Sequence, residues 1–146
     1  MASVIIIYGS TTGNTENTSE QIEKVLSEKG MDVTLKDVSD VKPADINDYD
    51  MVLMGCSTWG DEDIELQDDF IPFYEDLGSG DFSGKKVAVF GCGDSSYTHF
   101  CGAVDAIEEK VRDLGGKLVV DGLKIDGDPD DAEDDIKSWA EEVSNS

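Results

Sequence analysis

Basic residues are scarce in this sequence. Lysines and arginines number 11 against 34 aspartates and glutamates, which gives a formal net charge of −23 at pH 7. Such a chain repels the phosphates of nucleic acids and the headgroups of anionic membranes, and it attracts basic proteins. The composition therefore argues against a nucleic-acid-binding or membrane-surface function and predicts basic protein partners.

Cysteine is also rare, and long apolar runs are missing. Cys56, Cys92 and Cys101 are odd in number and lack C-x-x-C spacing, which argues against a disulfide framework or a zinc site. Nowhere do about 18 apolar residues follow one another, and the N-terminus has neither a basic region nor a small-residue cleavage site. We therefore expect reduced thiols in a cytoplasmic protein that does not enter the membrane.

Short apolar runs alternate with helical patterns along all 146 residues, a length that suits one domain. Five strand regions alternating with helices predict an α/β fold, a doubly wound parallel sheet with helices on both faces. The predicted strands are Val4 to Tyr8, Met31 to Leu35 at an edge, Met51 to Met54, Val87 to Phe90, and Leu118 to Ile125 with a bulge or bend at Gly122.

Helical spacing places one apolar face on each predicted helix. These faces contain Ile22, Val25 and Leu26; Phe70, Phe73, Tyr74 and Leu77; Val104, Ile107 and Val111; and Ala132, Ile136, Trp139 and Val143. Glycine favours the left-handed conformation that ends a helix, so helix ends are expected at Gly30, Gly78 to Gly80 and Gly115-Gly116. Asp128-Pro129 predicts the start of the last helix.

The stretch between the first strand and the first helix is rich in hydrogen-bond donors. It reads Ser10-Thr11-Thr12-Gly13-Asn14-Thr15. Because the first N–H groups of a helix have no intrahelical partner, this turn can hold a phosphate with neutral donors. The Walker pattern fails because position 14 is not Lys, and the dinucleotide pattern fails because it lacks the third glycine. An ordinary helix cap remains the alternative for any single hydroxyl.

Two further loops follow the third and fourth strands, at residues 57–63 and 91–101. Trp59 and Tyr97 can enclose a flat ligand by stacking, although either ring alone could instead fold onto the core. Gly60 allows its peptide to reorient at little steric cost, and Asp94 offers an acceptor to a ring N–H. The three loops together predict a site for a phosphate ester that carries a flat ring.

In combination, the three loops resemble the flavin-binding loops of flavodoxins. The motifs are S-T-T-G-N-T, S-T-W-G-D and G-D-S-S-Y, and the similarity extends over essentially the whole chain. The uninterrupted fifth-strand region, Lys117 to Asp126, is similar to the short-chain group typical of sulfate-reducing anaerobes. The resemblance implies one flavodoxin-like domain over residues 1–146, with five parallel strands in the order 2-1-3-4-5. Its ligand would lie beyond the carboxyl ends of the strands, a rule that counts flavodoxin among its own examples.

The resemblance also implies noncovalently bound FMN as the cofactor. The residues that would bind the phosphate and ribityl chain are Ser10, Thr11, Thr12, Asn14, Thr15 and Ser57. Those that would surround the isoalloxazine are Thr58, Trp59, Gly60, Asp61, Cys92, Asp94, Tyr97 and Cys101. Gly13 and Gly93 complete the binding motifs. His99 departs from the aromatic residue often found near its position in the family.

The implied function is low-potential one-electron transfer, with FMN cycling between semiquinone and hydroquinone. The expected partners are basic redox proteins such as cytochromes, and the enzymes that reduce or oxidise flavodoxins. A monomeric carrier is expected, and the alternative is an FMN-dependent quinone or NAD(P)H reductase. Such an enzyme needs substrate room over the flavin, which a short acidic chain does not favour.

Two other classes with related folds are excluded by single positions. A phosphoaspartate receiver domain needs acidic residues where this chain has Gly9-Ser10 and Gly55-Cys56. A low-molecular-weight tyrosine phosphatase needs an arginine six residues after its cysteine, and Thr98 occupies that position after Cys92. Neither a phosphorelay nor a phosphatase function follows from this sequence.

Overall fold

The computed structural model describes residues 3–9, 14–56, 58–59, 65–66, 70–76, 82, 84–93, 102–120, 122–126 and 132–145. The helices are α1 (Asn14–Glu28), α2 (Phe70–Glu75), α3 (Gly102–Asp113) and α4 (Glu133–Ser144). The strands are β1 (Ser3–Gly9), β2 (Asp32–Asp37), β3 (Met51–Cys56), β4 (Thr58–Trp59), β5 (Glu65–Leu66), β6 (Lys86–Gly93), β7 (Lys117–Leu118) and β8 (Leu123–Asp126). Two 3-10 helices, Val38–Asp40 and Pro43–Asp48, form the polar crossover between β2 and β3.

The main sheet is parallel, with β2, β1, β3 and β6 in that order and with both β7 and β8 paired to β6. The predicted order 2-1-3-4-5 is therefore confirmed. The fifth predicted strand region is confirmed beside β6, but it is divided between Leu118 and Leu123 into β7 and β8, which adds a short sixth strand to the described sheet. The break contains Gly122, where a Cβ atom would lie 2.6 Å from Val104 Cγ1 of α3. Close approach of α3 thus accompanies the irregularity that the sequence predicts at this glycine.

The sheet separates two apolar clusters. Alternation along β1 sends Val4 and Ile6 to one face and Ile5 and Ile7 to the other. The first face packs against α1 and α4, and the second packs against α2 and α3. Strands buried on both faces read as continuous apolar runs, which is the pattern of the first, third and fourth predicted strands. The predicted three-layer arrangement is confirmed.

The helix ends agree with the glycine signals where they are described. Gly30 and Gly115 have φ angles of +86° and +87°, which non-glycine residues rarely adopt. The edge position of β2 is also confirmed. Leu77, the glycines at 78 and 80, and the predicted helix start at Asp128-Pro129 lie outside the described residues; the α-helix itself begins at Glu133.

One short element differs from the sequence expectation. Residues 57–63 are predicted as a loop, but Thr58 and Trp59 form β4, which pairs antiparallel with β5. Two-residue strands are too short to show an alternating pattern, so only the folded chain reveals this pair. β4 also contacts β6 and α3, which places the second predicted loop beside the strand that leads to the third.

Candidate functional site

The carboxyl ends of β1, β3 and β6 lie side by side. Gly9 is the register partner of Cys56, and Gly55 is the partner of Phe90. The three predicted binding loops therefore follow adjacent strands at the carboxyl end of the sheet. β1 has β2 on one side and β3 on the other, so the chain changes direction across the sheet at this point. Ligands of doubly wound sheets bind at such a switch point.

The start of α1 lies directly after the end of β1. Asn14 is its first residue, and Thr15 in its first turn is completely buried, as are Thr18 and Ser19 one turn later. The Ser19 hydroxyl donates to the Thr15 carbonyl oxygen at 2.8 Å. A helix start carries backbone donors and the positive end of the dipole. The Thr15 side chain in the first turn is uncharged, so the backbone donors and the dipole of this helix start fit a single phosphate monoester.

Tyr8 connects β1 to the first turn of α1. Its hydroxyl donates to Glu16 Oε1 at 3.5 Å. Burial, followed by the charges of Glu16 and Asp37, raises the pKa of Tyr8. Sequence reasoning missed this contact. The available signal is that Tyr8 continues the alternation of Val4 and Ile6, and those two residues face the α1 side of the sheet.

Gly55 marks a close approach near the end of β3. A Cβ atom there would lie 2.3 Å from both Cε2 and Cζ of Phe90, so the phenyl ring covers this glycine. Phe90 in turn packs edge-on against Trp139 of α4, with ring centroids 5.9 Å apart. A glycine inside an apolar strand is the sequence signal for such packing. The contact fixes the backbone one residue before Cys56, where the second loop begins.

The described residues include six of the predicted site positions. Asn14 and Thr15 begin α1, Thr58 and Trp59 form β4, and Cys92 and Gly93 end β6. The other predicted positions lie outside the described residues: Ser10, Thr11, Thr12, Gly13, Ser57, Gly60, Asp61, Asp94, Tyr97 and Cys101, together with His99. The structure thus brings together the ends of the three loops.

Two further observations bear on the kind of site. Within the ranges that the structure describes, no group of three or more His, Cys, Asp or Glu side chains could hold a metal ion. None of the described helices is both long and apolar enough to cross a membrane.

The fold and the donor-rich helix start define a class of protein, the doubly wound α/β proteins that bind a nucleotide at the switch point. The family model described as Flavodoxin matches residues 6–139. Flavodoxin from Maridesulfovibrio salexigens is 57% identical over 146 residues, with 99% of each chain covered. Flavodoxin from Nitratidesulfovibrio vulgaris is 52% identical over 144 residues, which cover 98% of this chain and 97% of that one.

Solved structures agree with these sequence relatives. A flavodoxin of Streptococcus pneumonia TIGR4 has a TM-score of 0.91 at 30% identity, with 99% of each chain covered. Oxidised Flavodoxin 2 from Bacillus cereus has a TM-score of 0.91 at 34% identity, again with 99% of each chain covered. The chain belongs to the flavodoxin family.

Membership of this family confirms several predictions. The protein is an FMN-binding electron-transfer protein and not an enzyme, so the reductase alternative is rejected. The two bacterial relatives at 52% and 57% identity also confirm the similarity to the short-chain group of sulfate reducers. Its partners, as for the family, are redox proteins.

Proposed function

We propose that this protein carries one electron at a time, at low potential, between basic redox proteins. The observation that carries the proposal is the start of α1, with Thr15 buried in its first turn, placed at the switch point of the sheet. Bound FMN supplies the redox chemistry, and the chain binds, orients and tunes it. A net charge of −23 makes two copies repel each other, which supports a monomer. Three cysteines without disulfide spacing suit the reducing cytoplasm.

We assign the phosphate and the ribityl chain to residues of the first loop and to the residue after β3. These are Ser10, Thr11, Thr12, Gly13, Asn14, Thr15 and Ser57. Six of the seven lie at the junction of β1 and α1, where backbone donors and the helix dipole favour an anion. This loop offers a site for one phosphate, which supports FMN over FAD.

We assign the isoalloxazine ring to the loops that follow β3 and β6. The residues are Thr58, Trp59, Gly60, Asp61, Cys92, Gly93, Asp94, Tyr97 and Cys101. The adjacency of β4 and β6 supports a single ring site between the two loops. Large aromatic side chains on opposite loops can exclude water from both ring faces.

The charges of the same loops support a low potential for the second electron. Residues 10–15, 57–63 and 91–101 contain carboxylates but no lysine or arginine. One carboxylate about 10 Å from a reduced, anionic cofactor costs about 0.8 kcal/mol at an effective dielectric constant of about 40. That energy corresponds to about 35 mV for one electron. Several such charges, partly screened by salt, favour cycling between the one-electron-reduced and fully reduced states.

Titration of the apoprotein with FMN, FAD and riboflavin tests the proposed site. FMN should bind more tightly than the other two, since only FMN presents a single terminal phosphate. Thr15→Val should weaken FMN binding by about 1–3 kcal/mol, because a phosphate acceptor loses its hydroxyl donor. Thr34→Val on β2 is the matched control and should bind FMN like the parent. Equal affinity of the Thr15 variant for FMN would show that this hydroxyl only stabilises the helix.

A further inference from the structure

Glu16 places a negative charge in the first turn of α1, next to the proposed phosphate site. It is the third residue of the helix, and its side chain is exposed. A glutamate at the third helical position can turn back and accept a hydrogen bond at the start of its own helix. The backbone N–H groups at the start of a helix are also the donors that bind a phosphate. The Glu16 carboxylate can therefore compete with the phosphate for the backbone N–H groups at the start of its own helix.

In the structure, the Glu16 carboxylate points toward Tyr8 of β1. Tyr8 lies on β1, one residue before the strand ends, and its side chain faces α1. Its hydroxyl donates to Glu16 Oε1 at 3.5 Å, a long hydrogen bond between a half-buried phenol and an exposed carboxylate. The bond joins the rigid sheet to the side chain at the third helical position. It directs Glu16 toward β1.

We propose that Tyr8 is a positioning residue, which holds the Glu16 carboxylate away from the backbone N–H groups at the start of α1 and so reserves them for the phosphate of FMN. This inference rests on the proposed FMN site. It assigns Tyr8 a role in phosphate affinity without direct contact with the cofactor.

The charges around Tyr8 are compatible with this role. Burial raises the pKa of Tyr8 most, and the charges of Glu16 in α1, Asp37 at the end of β2 and Glu20 in α1 raise it further. The hydroxyl therefore keeps its proton at neutral pH and remains a donor. With Tyr8 as the donor, the carboxylate of Glu16 is the acceptor.

The test compares the affinity of four full-length apoproteins for FMN and for riboflavin, which lacks the phosphate. The proteins are the parent, Tyr8→Phe, Glu16→Ala and the double variant. Tyr8→Phe should weaken FMN binding by about 3- to 10-fold, the equivalent of one hydrogen bond, and should leave riboflavin binding unchanged. Glu16→Ala should raise FMN affinity more in the Tyr8→Phe background than in the parent, because the carboxylate competes for the helix start only when Tyr8 does not hold it. Tyr49→Phe, at the opposite end of the sheet, is the matched control.

Other outcomes overturn the inference. FMN affinity of Tyr8→Phe equal to that of the parent would remove the role of the hydroxyl. Equal losses for FMN and riboflavin, with an equal effect of Glu16→Ala in both backgrounds, would show a merely structural role. These results differ from a failure of the proposed function, in which the parent apoprotein itself would not distinguish FMN from riboflavin.

Discussion

At the scale of single residues, Gly55 shows how tightly the end of β3 is packed. The Phe90 ring occupies the space that a Cβ atom would need, at 2.3 Å. We expect Gly55→Ala to lower the free energy of unfolding by about 1–3 kcal/mol, because the ring must move out of a close-packed core. Urea denaturation of the parent and the variant measures this loss.

A second substitution separates steric overlap from other causes. Phe90→Leu removes the ring, so Gly55→Ala should cost less in the Phe90→Leu background than in the parent. Equal costs in both backgrounds would show that the ring is not the reason for glycine at this position.

The raised pKa of Tyr8 should make the free energy of unfolding depend on pH above about pH 10. Its pKa is raised in the folded protein, first by burial and then by the charges of Glu16 and Asp37. Its contribution to stability is therefore fully present below the unfolded-state pKa, near 10, and is lost as pH rises through the folded-state pKa. The free energy of unfolding of Tyr8→Phe should fall less steeply above about pH 10 than that of the parent. Denaturation curves from about pH 8 to 12 measure the difference, and parallel profiles would contradict it.

At the scale of elements, Lys85 joins the start of β6 to the crossover between β2 and β3. Its ammonium group donates to the carbonyl oxygens of Tyr49 at 2.6 Å and Ile46 at 3.1 Å. Lys85→Met should lower the free energy of unfolding by about 1–3 kcal/mol, because charge-assisted bonds are lost and two carbonyl groups lose a donor. Lys29→Met, at an exposed position after α1, is the control and should change stability by less than about 0.5 kcal/mol. Thermal denaturation measures both variants, and an equal loss of stability in the two would contradict this prediction.

The arrangement of elements could largely be predicted from the sequence. Continuous apolar runs such as Met51 to Met54 specify strands buried on both faces, and helical spacing specifies the helices that cover them. The division of the fifth strand and the β4–β5 pair could not be predicted in detail. Both depend on contacts between distant segments, such as the approach of Val104 to Gly122, and not on a local period.

In the candidate site too, some residues could be proposed from the sequence and others could not. Thr15 could be proposed from the sequence, because a run of hydroxyl residues between a strand and a helix is typical of a phosphate site. The contact between Tyr8 and Glu16 could not, because it depends on how α1 packs across the end of β1. Motifs thus indicate groups that can contact a ligand, whereas contacts between distant segments, such as that of Tyr8 with Glu16, are seen only in the structure.

At the scale of the whole molecule, net charge should control encounters with partners. The segment after Trp59 contains Asp61, Glu62, Asp63, Glu65, Asp68 and Asp69, with no lysine or arginine among them. If this run contacts basic partners, the rate of electron transfer to a basic cytochrome should fall as ionic strength rises. Stopped-flow kinetics at several salt concentrations measure this rate. A rate independent of salt would leave the acidic run a structural role at the start of a helix.

The two apolar clusters of the sheet need different lengths of the chain. The described residues of the cluster under α2 and α3 all precede position 119, whereas the opposite cluster requires Ile125 and the α4 residues Ile136, Trp139, Ala140 and Val143. On the ribosome, the apolar side of α1 and the α1 face of the sheet therefore stay partly uncovered until α4 has emerged. Synthesis of α4 supplies the last described residues of this cluster.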